Sequence, residues 1–126
     1  MPRAKSVEKN LRVKRIYEAP TDDDGTRVLV DRLWPRGITK EKAKLDLWSK
    51  DVSPSDALRR RVHAGTDSWE TFVESYAAEL EEEPARAAAQ QLVALAKKGV
   101  VTLLFAAKDE ARNNAIALRE WLVKHG

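Results

Sequence analysis

Val100-Val101-Thr102-Leu103-Leu104-Phe105-Ala106-Ala107 is an almost unbroken apolar run, entered from Lys97-Lys98-Gly99 and left through Lys108-Asp109. It is far shorter than the roughly 20 apolar residues that span a bilayer. A strand without polar alternation is buried on both faces, as in a parallel sheet covered by helices. Lysines followed by glycine are the signals that close a helix, so a helix should feed this strand. Helix, buried strand and helix in succession predict an α/β domain, and the rest of the chain can be arranged around them.

Upstream, Leu11 to Tyr17 reads as a short strand, and Ala19-Pro20-Thr21-Asp22-Asp23-Asp24-Gly25 reads as a turn by composition. Thr26 to Leu33 follows as a strand, with Val28, Val30 and Arg32 on one face and Leu29, Asp31 and Leu33 on the other. Trp34-Pro35-Arg36-Gly37 ends it, because proline donates nothing to a ladder. Thr39 can cap a short helix through Lys44, and Leu45 to Trp48 is a further short strand. Ser53-Pro54-Ser55-Asp56 predicts a helix start with Ser53 as cap, running to Gly65.

Asp67 and Glu70 resemble a capping box, beyond which Trp69, Phe72, Val73, Tyr76 and Leu80 form one apolar stripe. Pro84 divides that helix from the next, whose stripe is Ala88, Leu92 and Leu95. A final helix is expected from Glu110 to Lys124, with Ala111, Ala115, Leu118 and Leu122 facing inward. The expected architecture is a single compact α/β domain over 11–126, with a mixed, mostly parallel sheet of about four strands flanked by helices. A basic, flexible segment over 1–10 is expected to precede it.

Composition narrows the chemistry. The 126 residues fit one domain, and no cysteine is present, which removes disulfides, thiolate nucleophiles and cysteine metal sites. With only His63 and His125, a structural zinc site is not expected, and no cofactor or metal is assigned. The amino terminus is basic without an apolar stretch behind it, so a secretory signal is not expected and the cytoplasm is the expected location. The formal net charge is +3, with Arg3, Lys5, Lys9, Arg12, Lys14 and Arg15 set against Glu8 at one end.

Ligands of open α/β sheets bind outside the carboxyl ends of the strands. Three such ends are polar here: Asp31, Arg32, Trp34 and Arg36; then Ser49, Lys50 and Asp51; then Lys108 and Asp109 before Arg112, Asn113 and Asn114. If the strands run parallel, these residues converge on a mainly cationic site, to which the last helix adds its amino end. Arg32, Arg36, Lys50, Lys108 and Asn113 are the candidate anion ligands, and Trp34 is a candidate wall. Asp51 or Asp109 is the candidate general base. Each has a plainer alternative: Asp109 as a helix cap, Trp34 as a plug, and Arg36 in a structural pair with Asp31 or Asp51. No glycine-rich phosphate loop, nucleophile elbow or paired metal-binding histidines are present.

Arg27-Val28-Leu29-Val30-Asp31-Arg32-Leu33-Trp34-Pro35-Arg36-Gly37, Trp48-Ser49-Lys50-Asp51-Val52-Ser53-Pro54-Ser55 and Thr102-Leu103-Leu104-Phe105-Ala106-Ala107-Lys108-Asp109 resemble the YeaO-like branch of the domain-of-unknown-function 488 family. The resemblance runs from about Leu11 to Leu122 and implies an α/β fold with its site after the last strand, but no reaction. Another branch of that family carries Cys and Glu after the last strand and Cys-His-Arg at the start of the next helix. The matching positions here are Phe105 and Ala107, then Asn113, Asn114 and Ala115, so thiol or metal chemistry does not carry over.

Two functions remain open at this level. One is an enzyme or binding protein for a small phosphate- or carboxylate-bearing ligand at the strand ends. The other is a non-catalytic nucleic-acid-binding or regulatory module that uses residues 1–15 and Arg59-Arg60-Arg61, with strongly salt-dependent binding. Neither reading calls for a membrane, and the sequence leaves the oligomeric state open.

Overall fold

A computed structural model describes residues 7–126. Most of the expected flexible segment, residues 1–6, lies outside the described residues; residues 7–10 are helical, and Val7 is buried. Four strands form one sheet: β1 (Leu11–Arg15), β2 (Thr26–Leu29), β3 (Leu47–Trp48) and β4 (Val101–Phe105), in the order β1-β4-β2-β3. Every pairing is parallel, so the mostly parallel sheet read from the sequence is parallel throughout. β4 is central and buried at all five positions, as its unbroken apolar sequence requires.

The alternation of side chains along the strands divides the interior in two. Val28, Val30, Leu103 and Phe105 belong to the larger core, packed with α3 (Trp69–Leu80), α4 (Ala85–Lys98) and α5 (Asn114–His125). Ile16, Leu29 and Leu104 face the other way, under Ala43 of the short helix α1 (Lys40–Ala43) and the side chains of Trp34, Ile38, Leu45 and Trp48. Fully burying a leucine or phenylalanine is worth about 1.5–3 kcal/mol, so both faces of β4 contribute to stability. Tyr76 is buried, and its hydroxyl donates to the Val52 carbonyl, which keeps that group in the core.

Element boundaries shift where side chains replace backbone partners. β2 stops at Leu29, although the apolar pattern continues to Leu33. The Asp31 carboxylate accepts the Ala106 N–H at 2.9 Å, and the Asp31 carbonyl accepts the Trp48 indole N–H at 2.7 Å, so ladder bonds give way to side-chain bonds. The helix α2 (Asp56–Ala64) is capped by Ser55, which accepts the Leu58 N–H at 3.1 Å; the expected cap Ser53 instead donates to the Lys50 carbonyl. α3 is capped by Ser68, while Asp67 pairs with Arg61 at 3.0 Å. α5 starts at Asn114 rather than Glu110, because Asp109 accepts the N–H groups of Ala111 and Arg112 and Asn113 caps the helix.

A buried polar network fastens the start of β2. Asp24 takes Lys14 at 3.0 Å and Arg27 at 2.5 Å, and Arg27 also donates to the Ala43 carbonyl. Burial by itself would raise the Asp24 pKa, but the Thr21 backbone, Lys14 and Arg27 outweigh it and hold the carboxyl at about 2. The adjoining Gly25 has φ 61° and ψ −131°, a conformation that side chains rarely adopt, and a Cβ there would collide with the Val100 carbonyl. Gly25→Ala should therefore lower stability by about 2–4 kcal/mol, read from a urea unfolding curve with an unchanged slope.

Candidate functional site

Because all the strands run the same way, their carboxyl ends open on one edge of the sheet. A cleft of about 670 Å³ lies there, walled by the segment after β2, by α2, by the start of α3 and by the entry to α5. Its lining contains Arg32, Arg36, Arg59 and Arg112 with His63, and the aromatic residues Tyr17, Trp34, Trp69 and Phe72. On α2 the helical repeat places Arg59, Val62 and His63 on one face, one turn apart.

Of the expected site residues, the ligand candidates Arg32, Trp34, Arg36 and Asn113 and the candidate base Asp109 line this cleft. Lys50, Asp51 and Lys108 are exposed and lie outside its lining. The Lys50 ammonium sits 4.1 Å over the Trp48 ring, a cation–π contact that turns it toward the sheet. Asp109 is fixed by two backbone N–H groups, which hold its pKa below the usual carboxylate range. Trp34 combines two roles: its indole N–H donates to the Ile38 carbonyl at 2.7 Å, and its ring meets Trp48 edge-on at 5.3 Å while still lining the cleft.

Four arginines share the lining with three carboxylates, so the arrangement must be judged by what each carboxylate is already doing. Asp67 is paired with Arg61, and Asp109 serves the backbone. Asp31 is different. Its oxygens accept the Ala106 N–H at 2.9 Å and the Asn114 side-chain amide at 3.0 Å, and no ion pair among the described residues includes it. Burial raises its pKa above the ordinary value, against the opposing pull of Asn114, Ala106 and the Arg59 charge. The same Asn114 amide reaches the Val30 carbonyl at 3.1 Å, tying α5 to the end of β2.

The cations are held loosely. Asp56 Oδ1 meets Arg59 at 3.3 Å and Arg32 at 3.5 Å, both in exposed pairs of small energetic weight. Arg59 Nε is buried and has no hydrogen-bond partner among the described residues. The guanidinium groups of Arg36 and Arg112 form no ion pair with the other described residues. Tyr17 supports the segment after β2 by donating its hydroxyl to the Arg36 carbonyl at 2.8 Å. Arg15 holds the carbonyls of Ala106 and Ala107, fixing the exit of β4.

Sequence reading named the Asp31–Arg36 and Lys108–Asp109 segments, with Arg112 beside them, but missed Arg59, His63 and Trp69 as parts of one site. The α2 residues carried a usable signal in their shared face; the approach of α2 to the sheet end is set by tertiary packing and has no local signature. Among the described residues no three His, Cys, Asp or Glu side chains cluster as metal ligands, and no helix is long and apolar enough to cross a membrane.

Residues 10–125 match the family described as the inactive DUF488-N3 subclade. The chain is 42% identical over 113 residues to the uncharacterized protein YeaO of Escherichia coli (strain K12), covering 90% of this chain and 96% of that one. It is 40% identical over 115 residues to the uncharacterized protein Rv3073c of Mycobacterium tuberculosis (strain ATCC 25618 / H37Rv), covering 91% and 95%. No solved structure matches it. With nearly its whole described length matched in sequence and its parallel α/β sheet in place, the chain belongs to the DUF488 family, in its YeaO-like branch.

Proposed function

We propose that the cleft at the strand carboxyl ends binds a small anionic ligand, carrying a phosphate or carboxylate, without transforming it. The observation that carries this reading is the convergence of Arg32, Arg36, Arg59 and Arg112 on one aromatic-walled cleft, where Arg36 and Arg112 have no ion-pair partner among the described residues. Guanidinium groups suit phosphate and carboxylate through parallel N–H donors. The amino end of the twelve-residue helix α5 enters the same cleft at Asn113 and Asn114 and adds a favourable dipole.

Binding rather than catalysis fits the positions at which another branch of the family, by resemblance, carries Cys, Glu and His. Here they are Phe105, Ala107 and Asn114, and the matching subclade is itself described as inactive. Asp109, one candidate base, is tied to backbone N–H groups that keep it a weak base, and Asp51 lies outside the cleft. A nucleic-acid surface has less support. Arg59-Arg60-Arg61 does not make one basic strip, since Arg59 turns into the cleft and Arg61 pairs with Asp67.

Thermal unfolding in the presence of inorganic phosphate, pyrophosphate and small carboxylates tests the reading. A ligand at about 100 times its Kd stabilises by about 2.7 kcal/mol, which for a chain of this size raises Tm by about 10 °C. Arg36→Ala should shrink that shift, whereas Lys42→Ala, at an exposed position of α1, should leave it intact. An unchanged Tm with every anion would remove the proposal.

A further inference from the structure

We infer that the ligand of this cleft carries, apart from its anionic group, a separate hydrogen-bond donor that docks on Asp31. The inference rests on the anion-binding reading and gives the ligand its second functional group. A carboxylate has about four acceptor sites, and among the described residues Ala106 and Asn114 are the two donors that meet the Asp31 carboxylate. The accepting capacity left over belongs to a side chain that lines the cleft.

A purely structural role does not account for the charge at this position. A neutral acceptor would satisfy the Ala106 N–H at smaller desolvation cost than a partly buried carboxylate. Burial already opposes ionisation of Asp31, so keeping an acid here works against folding stability above its pKa. Four arginines share the lining, yet none is ion-paired with it: Arg32 and Arg59 turn to Asp56. The cleft thus presents arginines with at most an exposed partner, Asp56, and an under-used acceptor, Asp31, that is ion-paired with none of them. A ligand with an anionic end and a donor end satisfies both.

Matched probes separate the two ends. Ethyl phosphate, 2-hydroxyethyl phosphate and 2-aminoethyl phosphate share an anionic group and differ in the donor. By isothermal titration of the full chain, the hydroxyl and ammonium probes should bind about tenfold more tightly than ethyl phosphate. In Asp31→Asn the ammonium probe should fall below ethyl phosphate, because the arginines repel an ammonium that has lost its carboxylate. Arg59→Gln should weaken all three probes and preserve their ratio, and its reading does not depend on Asp31→Asn being folded.

Equal affinity for the three probes in the unmodified chain overturns the donor site while leaving anion binding intact. An ammonium advantage that survives Asp31→Asn also overturns it, since the ammonium would then dock elsewhere. If ethyl phosphate itself fails to bind, the anion-binding reading falls and the inference falls with it.

Discussion

Asp24→Ala is expected to lower the unfolding free energy by about 3–5 kcal/mol at neutral pH, the usual consequence of removing one partner from a buried ion pair. Arg27 is 4% exposed and Lys14 is partly buried, so both cations would lose their shared carboxylate where water cannot fully replace it. The same network sets an acid limb. With its pKa held at about 2 against an ordinary 3.8, Asp24 contributes roughly 2 kcal/mol that is fully present above about pH 4. That contribution fades as pH falls through the folded value, because protonation then costs the native state its ion pairs. Urea unfolding between pH 7 and pH 2 should show a shallower acid limb in Asp24→Ala than in the unmodified chain. A loss below about 1 kcal/mol at neutral pH would mean that the network is replaceable by solvent.

Arg59→Ala is expected to weaken phosphate binding by roughly 10–100-fold, the range for losing a charge-assisted hydrogen bond to an anion. Its neighbour Arg60 is exposed and outside the cleft, so Arg60→Ala should change affinity less than about twofold after correction for salt screening. Stability should barely respond to Arg59→Ala. The pair it loses with Asp56 is exposed, and the substitution removes a buried donor that has no partner among the described residues. Titration calorimetry at two salt concentrations and a urea curve for each variant separate these effects. Equal losses from Arg59→Ala and Arg60→Ala would reduce the site to a diffuse field.

Much of this architecture was legible because local pattern and global fold agree. The apolar run of β4 announced a doubly covered parallel strand, and the 3.6-residue stripes announced α3 and α4. The boundaries were less legible wherever a side chain took over a backbone bond. Asp31 ends β2 by accepting Ala106 N–H, and Ser55, not Ser53, caps α2 because Ser53 closes the preceding turn.

The site divides the same way. Arg32, Trp34, Arg36, Asp109 and Asn113 could be placed from strand ends alone, since a parallel sheet gathers those ends. Arg59, His63 and Trp69 come from helices whose docking depends on packing against the whole core, which no short motif records. Asp31 was visible as a charge but not as a carboxylate pinned by Asn114, because the two are 83 residues apart in the chain.

The four tryptophans offer the most direct measurement of where an anion binds, one indole N–H signal each. Trp34 and Trp69 line the strand-end cleft, Trp48 packs behind Trp34, and Trp121 stands at a separate cavity beside His125. Titrating inorganic phosphate into ¹⁵N-labelled protein should shift the Trp69 and Trp34 indole signals and the Arg59 Nε–H along one saturable curve. The Trp121 signal should stay still. Saturable shifts confined to Trp121, or a linear drift of all four indoles with no saturation, would contradict an anion site at the strand ends.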